Sequence, residues 1–288
     1  MADIPAGHLS ATAWSLMRAG QWAPALDLLA AAAPADEAER ATLAVMAAEV
    51  AVNRDFWCGT ADSDSFVAAA VDAAASGSAG GGGSATVVTW DLELLRLRGD
   101  YYAELAGPDG PRFGPEGRDA SFVGELGERA AVLRGTAPDG ARNASATFLA
   151  GIIADNLRGD AGLARSLFTS ALARAEDAGD DETVSEALRH LGYHDAEAGE
   201  AGLARECWTR SARLRQRAGA VPYALSQVLL LAGLPLDHDG ALDHDGDSAG
   251  DGGRTGARAV ATAVRSWADA LGARILEAQA ADLADTGA

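Results

Sequence analysis

Apolar residues recur along this chain with the 3.6-residue spacing of helix faces, in stretches separated by Gly, Pro and Asp. Residues 36–54 read as one helix and 63–75 as its partner. Residues 86–98 and 118–134 form a further pair, and 222–234 with 256–271 another. Residues 273–285 read as a terminal capping helix, because the open end of a stack exposes apolar surface. Between these pairs, Thr183, Val184, Ser185 and Glu186 have the form of a capping box. It opens a helix carrying Leu188, Leu191 and Gly192 and closing at Gly199. A second helix from about Ala201 puts Ala204, Trp208, Ser211 and Ala212 on one face. Small residues alternating with bulky ones let two such helices approach closely.

The pattern repeats. Gly159, Asp160, Ala161, Gly162, Leu163, Ala164 and Arg165 return as Gly199, Glu200, Ala201, Gly202, Leu203, Ala204 and Arg205, about forty positions later. A fixed period of that size implies stacked supersecondary units. The expected fold is therefore all-α: a single solenoid over residues 1–288, wound as a right-handed superhelix of antiparallel helical hairpins. Three stretches interrupt it: a flexible Gly/Ser break at 76–84, a Gly/Pro-rich turn insertion at 107–117, and an acidic, disordered insertion at 236–253. The turns Asn53–Ala61, Gly99–Gly117 and Pro235–Gly253 fall at equivalent places in their hairpins, so they should project from one edge.

Leu191 and Gly192, then Gly199, Ala204, Trp208 and Ser211, resemble the tetratricopeptide repeat in spacing and mostly in type. Phe148, Gly159, Ala164, Phe168 and Ala171 give the preceding unit. Gly20, Gln21, Trp22, Ala25, Leu29 and Ala32 match near the start. The long period is similar to that of repeat regions in large bacterial regulators. In that family the inner face of each first helix holds a partner peptide or helix. The resemblance implies this role for Glu186, Arg189, Tyr193 and Glu197. The neighbouring unit offers Leu149, Ile153 and Leu157, which would make the groove partly apolar, as helix-binding grooves are. The four polar positions read equally well as a solvated helix face with a Glu–Arg pair at i,i+3.

Net charge is −19, with all 23 basic residues Arg. Such a chain repels phosphate backbones and anionic bilayers, so neither a nucleic acid nor a membrane is an expected partner. The start shows no basic segment followed by an apolar run, and no stretch reaches the roughly 18 apolar residues of a membrane span. Cys58 and Cys207 are isolated, and a cytoplasmic location is the expectation.

No nucleophile motif, Walker loop or dinucleotide fingerprint occurs, so no catalytic residue, cofactor or metal ligand is assigned. His190 and His194 share a helix face but lack a third ligand, and read as surface histidines. The tandem hexapeptide at 236–247 fails the EF-hand register, with no Gly after Asp247. Phe56 with Trp57, and Tyr101 with Tyr102, sit in or beside the long turns and form an alternative, turn-edge site if exposed together. The resulting expectation is a non-catalytic scaffold for a protein or peptide, with homodimerisation open. The alternatives are a sensor module taking a small ligand or signalling peptide in its groove, or an enzyme with a pocket under the turn loops.

Overall fold

The computed structural model describes residues 6–77, 82–107, 110–234 and 249–286, and all regular structure among them is helical. Thirteen helices follow one another: α1 (Ala6–Arg18), α2 (Trp22–Ala30), α3 (Glu37–Cys58), α4 (Ser63–Gly77), α5 (Gly82–Leu105), α6 (Ala120–Thr136), α7 (Gly140–Asn156), α8 (Ala161–Ala178), α9 (Asp181–Glu197), α10 (Ala201–Arg217), α11 (Val221–Gly233), α12 (Ala249–Leu271) and α13 (Arg274–Thr286). Among these, no helix is long and apolar enough to cross a membrane.

Asp side chains start many of the helices. Asp36, Asp119, Asp139, Asp160 and Asp180 each accept a hydrogen bond from a backbone N–H of the first turn. Each satisfies a donor the helix cannot pair internally. The cap of α9 is thus Asp180 and not Thr183. Thr183 lies a turn further in, buried, with its hydroxyl 3.1 Å from that of Ser145. Glu186 is thereby released from capping and faces the interior. At the other end of the hairpins, Gly159 and Gly199 take φ of 65° and 81°, a left-handed conformation that stops α7 and α9 and starts the return helix.

Two hairpins, α7–α8 and α9–α10, close on a small-to-large contact. A Cβ placed on Gly192 would stand 2.4 Å from Trp208 Nε1, and one on Gly151 would stand 2.5 Å from Phe168 Cε1. The two glycines let the aromatic rings of α10 and α8 lie directly on the backbones of α9 and α7. Ala164 and Ala204 are fully buried in the same packing.

Consecutive helices pack in order along the chain, and the two ends then meet. Met17, Trp22, Leu43, Met46, Val50 and Trp57 of α1–α3 form one apolar cluster with Leu229, Val264, Leu276 and Leu283 of α11–α13. Helix α13, expected to cap an open end, packs instead against α3 as well as α11 and α12. Polar bonds reinforce the seam: Tyr223 donates to Asn53 Oδ1 at 2.9 Å, and Arg18 pairs with Glu182 at 2.6 Å. The chain therefore closes on itself around inward faces of α3, α5, α7, α9, α11 and α13.

Two helices run well past their expected ends. Helix α3 runs on to Cys58 and α5 to Leu105, which moves all four turn-edge aromatics onto helices. Within the 107–117 insertion, the Gly114 N–H bonds to Asn156 O at 2.8 Å, and Arg118 ties back to the carbonyls of Glu104, Arg112 and Gly114. Of the Gly/Ser break, residues 78–81 lie outside the described residues, as do 235–248 of the acidic insertion and its tandem hexapeptide.

Candidate functional site

The inward faces enclose two adjoining cavities. One, of about 520 Å³, is lined by Phe56 and Trp57 of α3, Tyr101 and Tyr102 of α5, Phe148, Ile152 and Asp155 of α7, and Glu186, Arg189, His190, Tyr193 and Glu197 of α9. Arg215, Tyr223, Ile275 and Gln279 complete its wall, with Pro111 and Phe113 from the insertion after α5. The second, of about 540 Å³, carries Glu49, Asp91, Arg98, Arg142 and Leu149. The two share Tyr102, Phe148, Ile152 and Glu186, so they are two ends of one interior space.

The inner-face set and the turn-edge set thus line the same cavity. Glu186, Arg189, Tyr193 and Glu197 form one wall of it, with Glu197 exposed at its edge. Phe56, Trp57, Tyr101 and Tyr102 stand in it too. They do not form an exposed patch, since Trp57 and Tyr101 are buried. Phe56 stacks on Tyr102 with ring centroids 4.5 Å apart, and Trp57 meets Tyr223 edge-on at 4.9 Å. These contacts tie α3, α5 and α11 together.

The apolar residues expected on α7 are displaced by one register. Ile153 and Leu157 are fully committed to the core and face no groove. Leu149 is buried as well, touching only the second cavity. The stripe that faces inward is Phe148, Ile152 and Asp155, at i, i+4 and i+7.

Electrostatics sharpen the site. Glu186 is partly buried and faces the cavity. Burial, with Glu182 nearby, pushes its pKa up to about 8 against the opposing pull of Arg215 and Arg98. Arg98 forms an ion pair with Glu49 at 2.7 Å; burial works against its charge, and Glu49 more than restores it. Arg215 is 4% exposed, and burial followed by the neighbouring Arg189 charge brings its pKa down to about 10. Burial holds the Tyr102 and Tyr223 hydroxyls protonated.

His190 and His194 are not surface residues. His190 stacks on Phe168 at 4.8 Å, and both imidazoles approach Asp155, His194 Nε2 at 3.3 Å and His190 Nδ1 at 3.8 Å. Burial lowers the His190 pKa although Asp155 opposes it. Burial would raise the Asp155 pKa, but the two histidines hold it below the ordinary carboxylate value. Among the described residues, no group of three or more His, Cys, Asp or Glu is arranged to hold a metal ion.

The residues that sequence reading missed are Glu49, Arg98, Ile152, Asp155, Arg215 and Tyr223. A signal existed for part of this set. Applying the spacing of Glu186, Arg189 and Tyr193 to α5 selects Arg98 with Tyr102. No local pattern points to Tyr223, which arrives through closure of the chain.

A second depression, of about 660 Å³, lies between α5 and α6, where Trp90, Val132 and Leu133 are rimmed by Glu93, Glu125 and Glu128. It contains none of the buried charge that distinguishes the interior. In comparison with known proteins, no protein-family model matches this chain and no curated protein matches it in sequence.

Proposed function

We propose that this protein is a binding module whose closed stack of tetratricopeptide-like hairpins holds a small molecule in the interior cavity. The observation that carries the reading is that the chain turns its inner-face residues toward one partly open interior cavity. The inner-face residues that an open stack would offer to a helical partner line a space of about 520 Å³. The space suits a ligand of ordinary metabolite or drug size, for which pockets run to about 300–1,000 Å³. The apolar stripe that would seat an amphipathic helix is also spent, because Ile153 and Leu157 lie in the core. A wall of aromatic rings with a few convergent charged groups is the usual composition of such sites.

The right-handed superhelical winding belongs to this proposal. It is supported by the repeated hairpins and by their glycine-to-aromatic contacts at Gly151 and Gly192. The small-ligand reading replaces the open peptide scaffold as the better account of the inner face.

A thermal-shift screen of small molecules on the full chain tests it. A ligand bound only to the folded state raises the melting temperature with its concentration. Ile275→Trp would place an indole in the cavity. Compounds that stabilise the parent and leave this filled variant unchanged support the interior site. Ligands that stabilise both equally would place binding elsewhere and sink the reading.

A further inference from the structure

Buried cations in this molecule are generally paired. Arg98 meets Glu49, Arg142 meets Asp91 at 2.6 Å, and Arg118 meets Glu104 at 3.2 Å. Two guanidinium groups that line the cavity are different. Arg189 donates to Tyr193 Oη at 3.1 Å and Gln227 Oε1 at 3.4 Å, and lies over the Tyr193 ring. Arg215 donates to Ser185 Oγ at 3.4 Å and the Tyr223 carbonyl at 3.2 Å, and lies over the Tyr223 ring. All these partners are neutral, and two of the four bonds are long, at 3.4 Å. Among the described residues, no carboxylate stands within 4.0 Å of either guanidinium. A buried charge left in this condition is costly, and a bound anion relieves it.

Resting on the small-ligand reading above, we propose that the cavity takes a small organic carboxylic acid. Its carboxylate sits on Arg189 and Arg215, and its apolar body lies against Phe56, Trp57, Tyr102 and Ile152. The head and the wall belong to the same space. Glu186 does not cancel the pair of cations, because burial keeps its carboxyl largely protonated near neutral pH, where it can donate a hydrogen bond to the guest. A carboxylate is a better match than a phosphate monoester. The second charge of a phosphate would fall against Asp155, whose carboxylate the two histidines keep ionised and which lines the same wall.

The test is calorimetric titration of the full chain with 3-phenylpropionate and octanoate. Their neutral amides and phenethyl phosphate serve as matched probes. The acids should bind at least tenfold more tightly than the amides. Arg189→Gln and Arg215→Gln should each weaken the acids at least tenfold and leave the amides unchanged. Arg189 is only half-buried, so its variant carries the test if Arg215→Gln fails to give the parent circular dichroism spectrum. Amides that equal the acids, with both lost in Ile275→Trp, would leave the interior site standing and overturn the acid. Phosphate binding as tight as the carboxylates would overturn the choice of head group. Heat from none of the probes would overturn the acid and the cavity reading together.

Discussion

Gly192→Ala is the sharpest test of how the hairpins are built. Glycine inside a helix ordinarily costs about 1 kcal/mol relative to alanine, so on propensity alone this change stabilises α9. The packing reverses the sign. The added methyl would stand 2.4 Å from Trp208 Nε1 and 2.5 Å from Trp208 Cδ1, well inside contact distance. Trp208 has little freedom to yield, because Nε1 donates to the Arg189 carbonyl at 2.9 Å and the ring meets Tyr193 edge-on at 5.3 Å. Overpacking costs about 1–3 kcal/mol, and a broken hydrogen bond about 1 kcal/mol more. After the propensity gain is subtracted, the variant loses about 1–3 kcal/mol. At this chain length that lowers the melting temperature by about 2–6 °C. Gly202, on α10, is the internal control: nothing lies within 4 Å of its added Cβ, so Gly202→Ala should raise stability by up to about 1 kcal/mol. Thermal melts followed at 222 nm read both. A Gly192→Ala protein that melts at or above the parent would refute the contact and the alignment of α9 with α10.

Three further outcomes follow from the same structure. Ala204 is fully buried, so Ala204→Leu should cost about 1–3 kcal/mol by overpacking, and an unchanged urea midpoint would show the helix out of register. Tyr101→Phe removes the acceptor that Asn156 Nδ2 reaches at 2.6 Å and should cost about 1–3 kcal/mol, whereas a neutral result would mean that water replaces the hydroxyl. The Glu186 pKa is raised from 4.5 to about 8, so the folded state binds a proton that the unfolded state has released. The stability of the parent should therefore fall as pH rises between those values, through a shift driven first by burial, with Glu182 and Asp180 adding to it and Arg215 and Arg98 opposing it. Glu186→Gln should gain on the parent steadily from pH 5 to about pH 8, and parallel stability curves would contradict the shift.

The helices were legible in the sequence because most carry a periodic apolar face and many start at an aspartate or are followed by a left-handed glycine. The site was legible in pieces only. On α9 the polar stripe of Glu186, Arg189 and Tyr193 stands out against an apolar background, and it does line the cavity. On α7 the background hides the stripe. Residues 146–149 and 151–154 are all buried, so periodicity cannot say which apolar row meets the cavity and which meets α8. The register fell one residue away for that reason. Histidines 190 and 194 looked solvated because the residues that cover them, Phe148, Asp155 and Phe168, belong to other helices. The closing seam had no local sign at all. Asn53 and Tyr223 stand 170 positions apart, and nothing near either announces the other.

That seam sets the order of events in folding. An array whose units touch only their neighbours can nucleate anywhere and grow outward, with every contact short in sequence. Here α11–α13 must find α1–α3 across nearly the whole chain, and contacts of that span form slowly. The hairpins assemble first and the seam shuts last. The cavity does not exist until it has shut. Arg18, Glu182 and Asn53 line a narrow crevice at that edge. If the proposed ligand binds, it holds together a cavity that only the closed chain possesses, so hydrogen exchange in α1 and α13 should slow along with exchange in α9.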